Sequence, residues 1–169
     1  YVPNDSNMSV SALAIQPDGK ILAGCYGRPE TGAVVARFDA KGQPDKTFGS
    51  KGKTMIRGLA TGVGFITDAL KIVVGEDGKI LVLTGTDTED GDNSKHDVRA
   101  ARLASDGKLD ATFGEKGVST PFSKWPAKDT MESAAILPSG LIVIGGFRTV
   151  DRTTGLGEGS GGHIFALAP

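Results

Sequence analysis

Short runs of apolar residues, each about the length of a strand, alternate with turn residues along the chain. The first two runs, at 10–16 and 20–26, are joined by a Pro-Asp-Gly turn at 17–19. Asp-Gly between two apolar runs is a strong hairpin signal, because glycine tolerates the positive φ that such turns require. The pattern predicts two antiparallel strands, named A and B here.

The same plan returns about 60 residues further along the chain, as stacked repeat units do. Gln-Pro-Asp-Gly-Lys-Ile-Leu at 16–22 recurs as Gly-Glu-Asp-Gly-Lys-Ile-Leu at 75–81 and, weakened, as Leu-Pro-Ser-Gly-Leu-Ile-Val at 137–143. A second block at 38–52 recurs at 103–117, each with Thr-Phe-Gly followed two residues later by Lys-Gly. The chain is therefore predicted to be an array of similar supersecondary units.

Each unit is predicted to contain up to four strands, A to D. The A strands are expected at 10–16, 69–74 and 133–137, the B strands at 20–26, 79–84 and 141–146, the C strands at 33–38, 98–103 and 163–167, and the D strands at 53–57 and 118–122. The third unit stops before a D strand, and residues 1–9 are expected to form the outer strand of a neighbouring blade.

The A and B strands are apolar on both faces, as in Ile72-Val73-Val74 and the Ile-Leu-Val-Leu run at 80–83. A strand with one wet face would alternate apolar and polar residues. Strands that are apolar on both faces need a sheet with a neighbour on each side, and four-stranded antiparallel sheets stacked around an axis provide this. We therefore predict an all-β fold, a β-propeller arc of about three four-stranded antiparallel blades that is part of a larger propeller. The blades are expected at 10–58, 68–123 and 132–169, within one partial propeller at 1–169.

Two units share a longer motif that carries a family resemblance. Ala-Arg-Phe at 36–38 and Ala-Arg-Leu at 101–103 each precede a Gly-containing turn and then Asp-x-Thr-Phe-Gly-x-x-Gly. This pattern resembles the delta-60 repeat β-propeller family over roughly residues 10–120, whereas the third unit has Leu167 in place of the arginine. The resemblance implies a bacterial protein, often exported or surface-associated, and thus an extracellular or periplasmic location. It implies no single activity and supplies no catalytic residues.

The repeated arginine and aspartate predict a clamp on the C–D connection. Arg37 ends strand C and Asp45 lies in the connection, and Arg102 and Asp110 repeat this arrangement. A buried Arg–Asp pair, or a network from Arg to backbone carbonyls, would hold the long connection in place. The phenylalanine of each Thr-Phe-Gly is expected to close the blade end.

Charge and cysteine content narrow the function classes. The chain has 19 basic and 20 acidic residues without basic clusters, which argues against a nucleic-acid partner. No apolar run approaches the roughly 20 residues that span a bilayer. The single cysteine, Cys25, excludes an intrachain disulfide and is expected to be a buried apolar side chain.

The variable loops predict where a partner binds. The B–C and D–A loops share one end of the blades and differ in length and chemistry between units, which is typical of a binding face. An exposed tryptophan there suits a sugar or a protein partner, although it can also pack under its own loop. The candidate ligand- or partner-binding residues are Trp125, Phe65, Tyr26, Arg148, Asp68 and Glu132.

An acidic loop in the second unit predicts a weak metal site. Asp87, Glu89, Asp90 and Asp92 supply oxygen ligands of the kind that Ca²⁺ takes. The spacing departs from an EF-hand, so a solvated acidic loop is the alternative. No other cofactor is expected.

The motif content favours a noncatalytic binding or assembly module. An open arc of three blades leaves two apolar faces, so another chain or a second copy is expected to complete the propeller, with a protein or a glycan as ligand. The alternative is an enzyme or enzyme subunit with a metal or carboxylate site at the channel mouth. Asp68 and Glu132, both placed just before an A strand, would be its acid–base groups.

Overall fold

The computed structural model describes residues 9–26, 32–59, 70–88, 95–119, 127–150 and 161–167. In these ranges the regular structure is β, apart from one 3-10 turn at Arg57–Leu59. The strands are β1 (Ser9–Ile15), β2 (Ile21–Tyr26), β3 (Ala33–Phe38), β4 (Lys53–Ile56), β5 (Lys71–Val74), β6 (Ile80–Thr88), β7 (Lys95–Leu103), β8 (Val118–Ser119), β9 (Ala127–Ile136), β10 (Ile142–Val150) and β11 (Gly161–Leu167). The all-β prediction is confirmed.

The strands form three antiparallel sheets that follow the chain in order. The first has the order β1-β2-β3-β4 and the second β5-β6-β7-β8. The third, within the described residues, has the three strands β9, β10 and β11, with β10 in the centre. Each sheet is a simple meander, because every strand pairs with its neighbour in sequence.

The second sheet is packed on both of its faces. Ile80 and Val82 of β6 lie in a core shared with the first sheet, whereas Leu81 and Leu83 lie in a core shared with the third. All four side chains are fully buried. Successive side chains of a strand point to opposite faces, so an uninterrupted apolar run serves both cores. The sheets are not closed into a ring.

The three predicted A–B hairpins are confirmed. Gly19, Gly78 and Gly140 occupy the same turn position with φ of 81°, 77° and 83°. In each turn the glycine N–H donates to the carbonyl three residues earlier, at 2.8–2.9 Å. The third turn keeps this geometry although its aspartate is replaced by Ser139, because the glycine supplies the conformation that the turn needs.

Several predicted loops are shorter than expected because the strands run beyond the core. The loop at 85–97 was predicted from its polar composition, yet Thr88 of β6 pairs with Lys95 of β7. In the third sheet β9 already begins at Ala127 and β10 continues to Val150. Backbone pairing requires no apolar side chains, so hydrophobic pattern marks only the buried part of a strand.

The predicted D strand of the first unit is one residue too long, whereas that of the second unit is described only in part. β4 ends at Ile56, where the 3-10 turn begins, and β8 covers Val118–Ser119. The predicted strand at 118–122 extends past the described residues.

A glycine in the second sheet allows close contact with the first. Gly107 has a φ of +87°, and a Cβ placed there would lie 2.8 Å from the Phe48 ring and 2.9 Å from the Gly49 nitrogen. Its repeat in the first unit, Gly42, has a φ of +77° and nothing within 4 Å of the same point. The two glycines therefore differ in steric surroundings and not in backbone strain.

Gly107→Ala is expected to destabilise the protein more than Gly42→Ala. Both variants carry the roughly 1 kcal/mol cost of a side chain at positive φ. Only Gly107→Ala adds a collision in a packed interface, which costs about 1–3 kcal/mol more. Urea denaturation of both variants measures the difference, and equal losses would show that the sheets do not approach as described.

Candidate functional site

The repeated arginine forms the predicted clamp on the C–D connection. Arg37 Nε donates to Asp45 Oδ2 at 2.9 Å, and Nη2 donates to Thr47 Oγ1 at 3.3 Å. The guanidinium carbon lies 4.6 Å from the centroid of the Phe48 ring, which is fully buried. The guanidinium is therefore held by an ion pair, a hydroxyl and a ring face.

The second sheet repeats this clamp with nearly the same geometry. Arg102 Nε donates to Asp110 Oδ2 at 2.9 Å, and Nη2 donates to Thr112 Oγ1 at 3.2 Å. Its guanidinium carbon lies 4.8 Å from the Phe113 ring centroid. Both predicted Arg–Asp pairs and both phenylalanine anchors are thus confirmed.

Each clamp aspartate is kept ionised by local donors. Asp45 Oδ1 accepts from the Thr47 hydroxyl at 2.6 Å and from the Thr47 amide at 3.0 Å. The Thr47 hydroxyl, followed by that amide and the charges of Arg37 and Lys20, lowers the pKa of Asp45 against its burial. The Thr112 hydroxyl is likewise the main group that lowers the pKa of Asp110.

The clamp of the first sheet also reaches the next sheet, which the sequence analysis did not predict. Arg37 Nη1 donates to the backbone carbonyl of Ser105 at 2.6 Å. The repeat of the arginine indicates a repeated role. The hydrogen bond from Arg37 Nη1 to the next sheet becomes visible only in the folded chain. The clamp is therefore a structural device that joins neighbouring sheets.

The outward face of the first sheet exposes large apolar side chains. Leu13 is 71% exposed and Ile15 is 74% exposed. Their neighbours Ala12 and Ala14 pack against the core on the opposite face of β1. Leu13 and Ile15 pair with Ala23 and Ile21 of β2, and Ala23 is buried, so the exposed apolar surface of this face lies along β1.

The outward face of the third sheet also exposes large apolar side chains. Ile164 of β11 is 81% exposed and Phe147 of β10 is 52% exposed. Ile144, one residue before the partner of Ile164, points the other way and is buried in the second core. We call these two surfaces, with Leu13 and Ile15 on one and Phe147 and Ile164 on the other, the end faces.

A groove crosses the outer side of the first two sheets. Its volume is about 820 Å³. It is lined by Met55, Arg57, Arg99, Leu109, Glu115, Lys116 and Val118. This mixture of aliphatic and mostly basic side chains comes from the outer strands of both sheets and the β7–β8 connection, and none of its members was among the predicted site residues.

The structure describes two of the predicted site residues in full. Tyr26 is half-buried and packs against the first core, which is a structural contact. Glu132 is exposed, but the prediction that it precedes an A strand is wrong. It lies inside β9, at a bulge where Met131 and Ser133 pair with the adjacent residues Gly146 and Gly145. The longer strand β9 explains the error.

The remaining predicted site residues lie partly or wholly outside the described residues. Asp87 and Arg148 belong to β6 and β10, opposite His96 and Asp129, and nothing is described of their side chains. Trp125, Phe65, Asp68, Glu89, Asp90 and Asp92 lie outside altogether. The sites built on these residues stay predictions.

The described residues contain no group of three or more His, Cys, Asp or Glu side chains that could hold a metal ion. The predicted Ca²⁺ loop falls mostly outside that part of the chain, so the metal site stays a prediction. Cys25 is fully buried, as predicted, and burial raises the pKa of its thiol. Within the same residues, no helix has the length and apolarity to cross a membrane.

Three meander sheets are stacked face to face in chain order. The first clamp joins the first two sheets, and the second sheet repeats the clamp on its own connection. This arrangement is an arc of a β-propeller. A family model described as a domain of unknown function (DUF5122) beta-propeller matches residues 16–48 and 75–113. These two stretches contain the first two A–B turns and both clamps, so the chain is similar to this family in its first two units. A search of curated proteins finds no match.

Acid is expected to weaken the protein through the two clamps. The folded-state pKa values of Asp45 and Asp110 lie below the ordinary 3.8. Their contribution is therefore complete above about pH 5 and is lost as the pH falls below about 4 and through the lowered pKa values. Asp110→Asn should lower Tm at neutral pH and flatten its decline in acid.

Thermal unfolding followed by circular dichroism between pH 7 and pH 2 measures this dependence. Glu132→Gln, which changes an exposed carboxylate of β9 in the third sheet, is the matched control. Parallel Tm curves for the native chain and Asp110→Asn would contradict a stabilising role for the ionised clamp.

Proposed function

We propose that this chain is a noncatalytic binding and assembly module, an arc of a larger propeller completed by a second copy or another chain. The observation that carries the proposal is the pair of end faces. Leu13, Ile15 and Ile164 are each more than two-thirds exposed on the outward side of a sheet. Monomeric proteins rarely expose contiguous apolar surface of this kind unless a partner covers it.

The free energy available from burying these apolar side chains supports association. Burying a large aliphatic side chain gains about 1.5–3 kcal/mol. Three such side chains together approach the roughly 8 kcal/mol of a micromolar complex before the cost of association is counted. The end faces therefore suit self-association or capture of a further blade, with smaller contacts adding to both.

The repeat chemistry supports three finer proposals. The spacing of about 60 residues and the Arg–Asp–Phe motif resemble those of delta-60 repeat propellers, and we propose that the chain is one of them. We propose on that basis a bacterial protein exported to the periplasm or the cell exterior. The B–C and D–A end, with Trp125 and the acidic loop after β6, is proposed as the face that meets a protein or glycan, with Ca²⁺ as a structural ion.

Charged substitutions on the end faces are expected to abolish association. Leu13→Lys and Ile164→Lys each remove at least 1.5 kcal/mol or so of burial, which weakens a self-complex by tenfold or more. Both side chains are exposed in the isolated chain, so Tm of the dilute protein should change little. Sedimentation velocity over a concentration series measures the complex.

Leu109→Lys is the matched control for this experiment. Leu109 is 41% exposed but lies in the outer groove and not on an end face. It should leave association unchanged. A native chain that stays monomeric and unfolds cooperatively at every concentration would overturn the proposal that the end faces need covering.

A further inference from the structure

A tight turn of the second sheet is seated on the first sheet by three hydrogen bonds. The turn at 104–108 presents successive backbone carbonyls, and each meets a different donor. Arg37 Nη1 donates to Ser105, the Gly49 amide to Asp106 and Thr54 Oγ1 to Gly107, at 2.6, 2.7 and 2.6 Å. We call Arg37, Phe48, Gly49 and Thr54 the first turn seat.

The second sheet carries the same seat in the same register. Arg102 lies opposite Leu81 as Arg37 lies opposite Leu22, and Ser119 lies opposite Ala100 as Thr54 lies opposite Val35. The second turn seat is therefore Arg102, Phe113, Gly114 and Ser119. Among the described residues, none accepts a hydrogen bond from Arg102 Nη1, the Gly114 amide or Ser119 Oγ.

A cavity of about 260 Å³ lies beside the second seat. Arg102 and Gly140 both line it, together with Asp77 and Glu76. In the first pair of sheets the corresponding space is filled by Ser105. The Ser105 carbonyl accepts from Arg37, and a Cβ on Gly78, the counterpart of Gly140, would lie 3.5 Å from the Ser105 Cβ. The cavity thus stands where a counterpart of Ser105 would pack.

We propose that the second turn seat binds a tight, glycine-containing turn like that at 104–108, carried by a length of propeller-repeat chain that continues from β11. Leu167 pairs with Ile142 as Leu103 pairs with Ile80, so β11 delivers the residues after it to this cavity. Ala166, and not Leu167 as predicted, therefore stands where the other units have the arginine. The inference rests on the proposed assembly role and names the segment that completes the third blade.

The chemistry of the seat selects a backbone turn. A guanidinium N–H, an amide N–H and a hydroxyl suit three carbonyls in a row, as the first seat shows. The charges that line the cavity balance, with Glu76 and Asp77 against Lys79 and Arg102, so the cavity offers no excess of positive charge to a free anion. A glycine is required because a side chain at the position of Gly107 would strike the phenylalanine of the seat.

One test compares the two seats in the native chain. Thr54→Val removes a hydroxyl that is bonded to Gly107, and Ser119→Ala removes its counterpart in the second seat. A lost hydrogen bond of about 1 kcal/mol lowers Tm by roughly 2–4 °C in a chain of this size. We expect that fall for Thr54→Val and no change for Ser119→Ala. Equal falls would overturn the proposal.

A second test supplies the segment. Replacing residues 168–169 with a copy of residues 104–117 continues β11 in register with β7, because Leu167 corresponds to Leu103. The extended chain should gain several degrees in Tm. Ser119→Ala should then become as costly as Thr54→Val. The Gly114 amide should acquire the slow hydrogen exchange that we expect of the Gly49 amide, which donates to the Asp106 carbonyl.

The control is an extension with the same residues in scrambled order. An equal gain in Tm from both extensions, or unchanged exchange at Gly114, would overturn the proposal. Exchange at Gly114 is a local measurement on the monomer, so its failure is distinct from a failure of self-association through the end faces. If the extended chain does not fold, the comparison of Thr54→Val with Ser119→Ala still decides.

Discussion

Alternate residues of β6 belong to two different hydrophobic cores, and the rest of the structure depends on this division. Ile80 and Val82 are buried against the first sheet, whereas Leu81 and Leu83 are buried against the third. A sheet without a wet face is stable only with a neighbour on each side. The first and third sheets have the same requirement, and each has a described neighbour on one side only. Leu13, Ile15 and Ile164 are therefore exposed on their outward faces.

The first clamp helps to fix how the first two sheets are oriented relative to each other. Apolar faces alone do not set the angle or the offset of two sheets, because the hydrophobic effect is non-directional. Arg37 adds direction, because its Nε donates to Asp45 of its own connection and its Nη1 donates to the Ser105 carbonyl of the next sheet. One side chain of the first unit therefore orders its own connection and also positions the next sheet.

The sequence was sufficient for the fold and for the clamp but not for the extent of the strands or the contacts between units. The A–B turns and the Arg–Asp pairs are local, so a glycine or an arginine at a fixed spacing reveals them. Thr88 of β6 pairs with Lys95 through backbone groups alone, and no apolar pattern marks that extension. The Gly49-to-Asp106 hydrogen bond and the outer groove join distant residues, and only the stacked sheets bring them together. The predicted Trp125 and Asp68 sites fall outside the described residues.

The two ends of the blades differ in how freely their chemistry can vary. At the A–B and C–D end, turns and clamps contact the neighbouring sheet, so Gly107 faces the Phe48 ring and Thr54 is bonded to the turn. A change there alters the joint between blades. At the other end, the backbone pairing of β6 with β7 continues through the polar residues at 86–88 and 95–97. Backbone pairing does not depend on the identity of the side chains, so the sequence of this ladder can differ between units, as the proposed binding role requires.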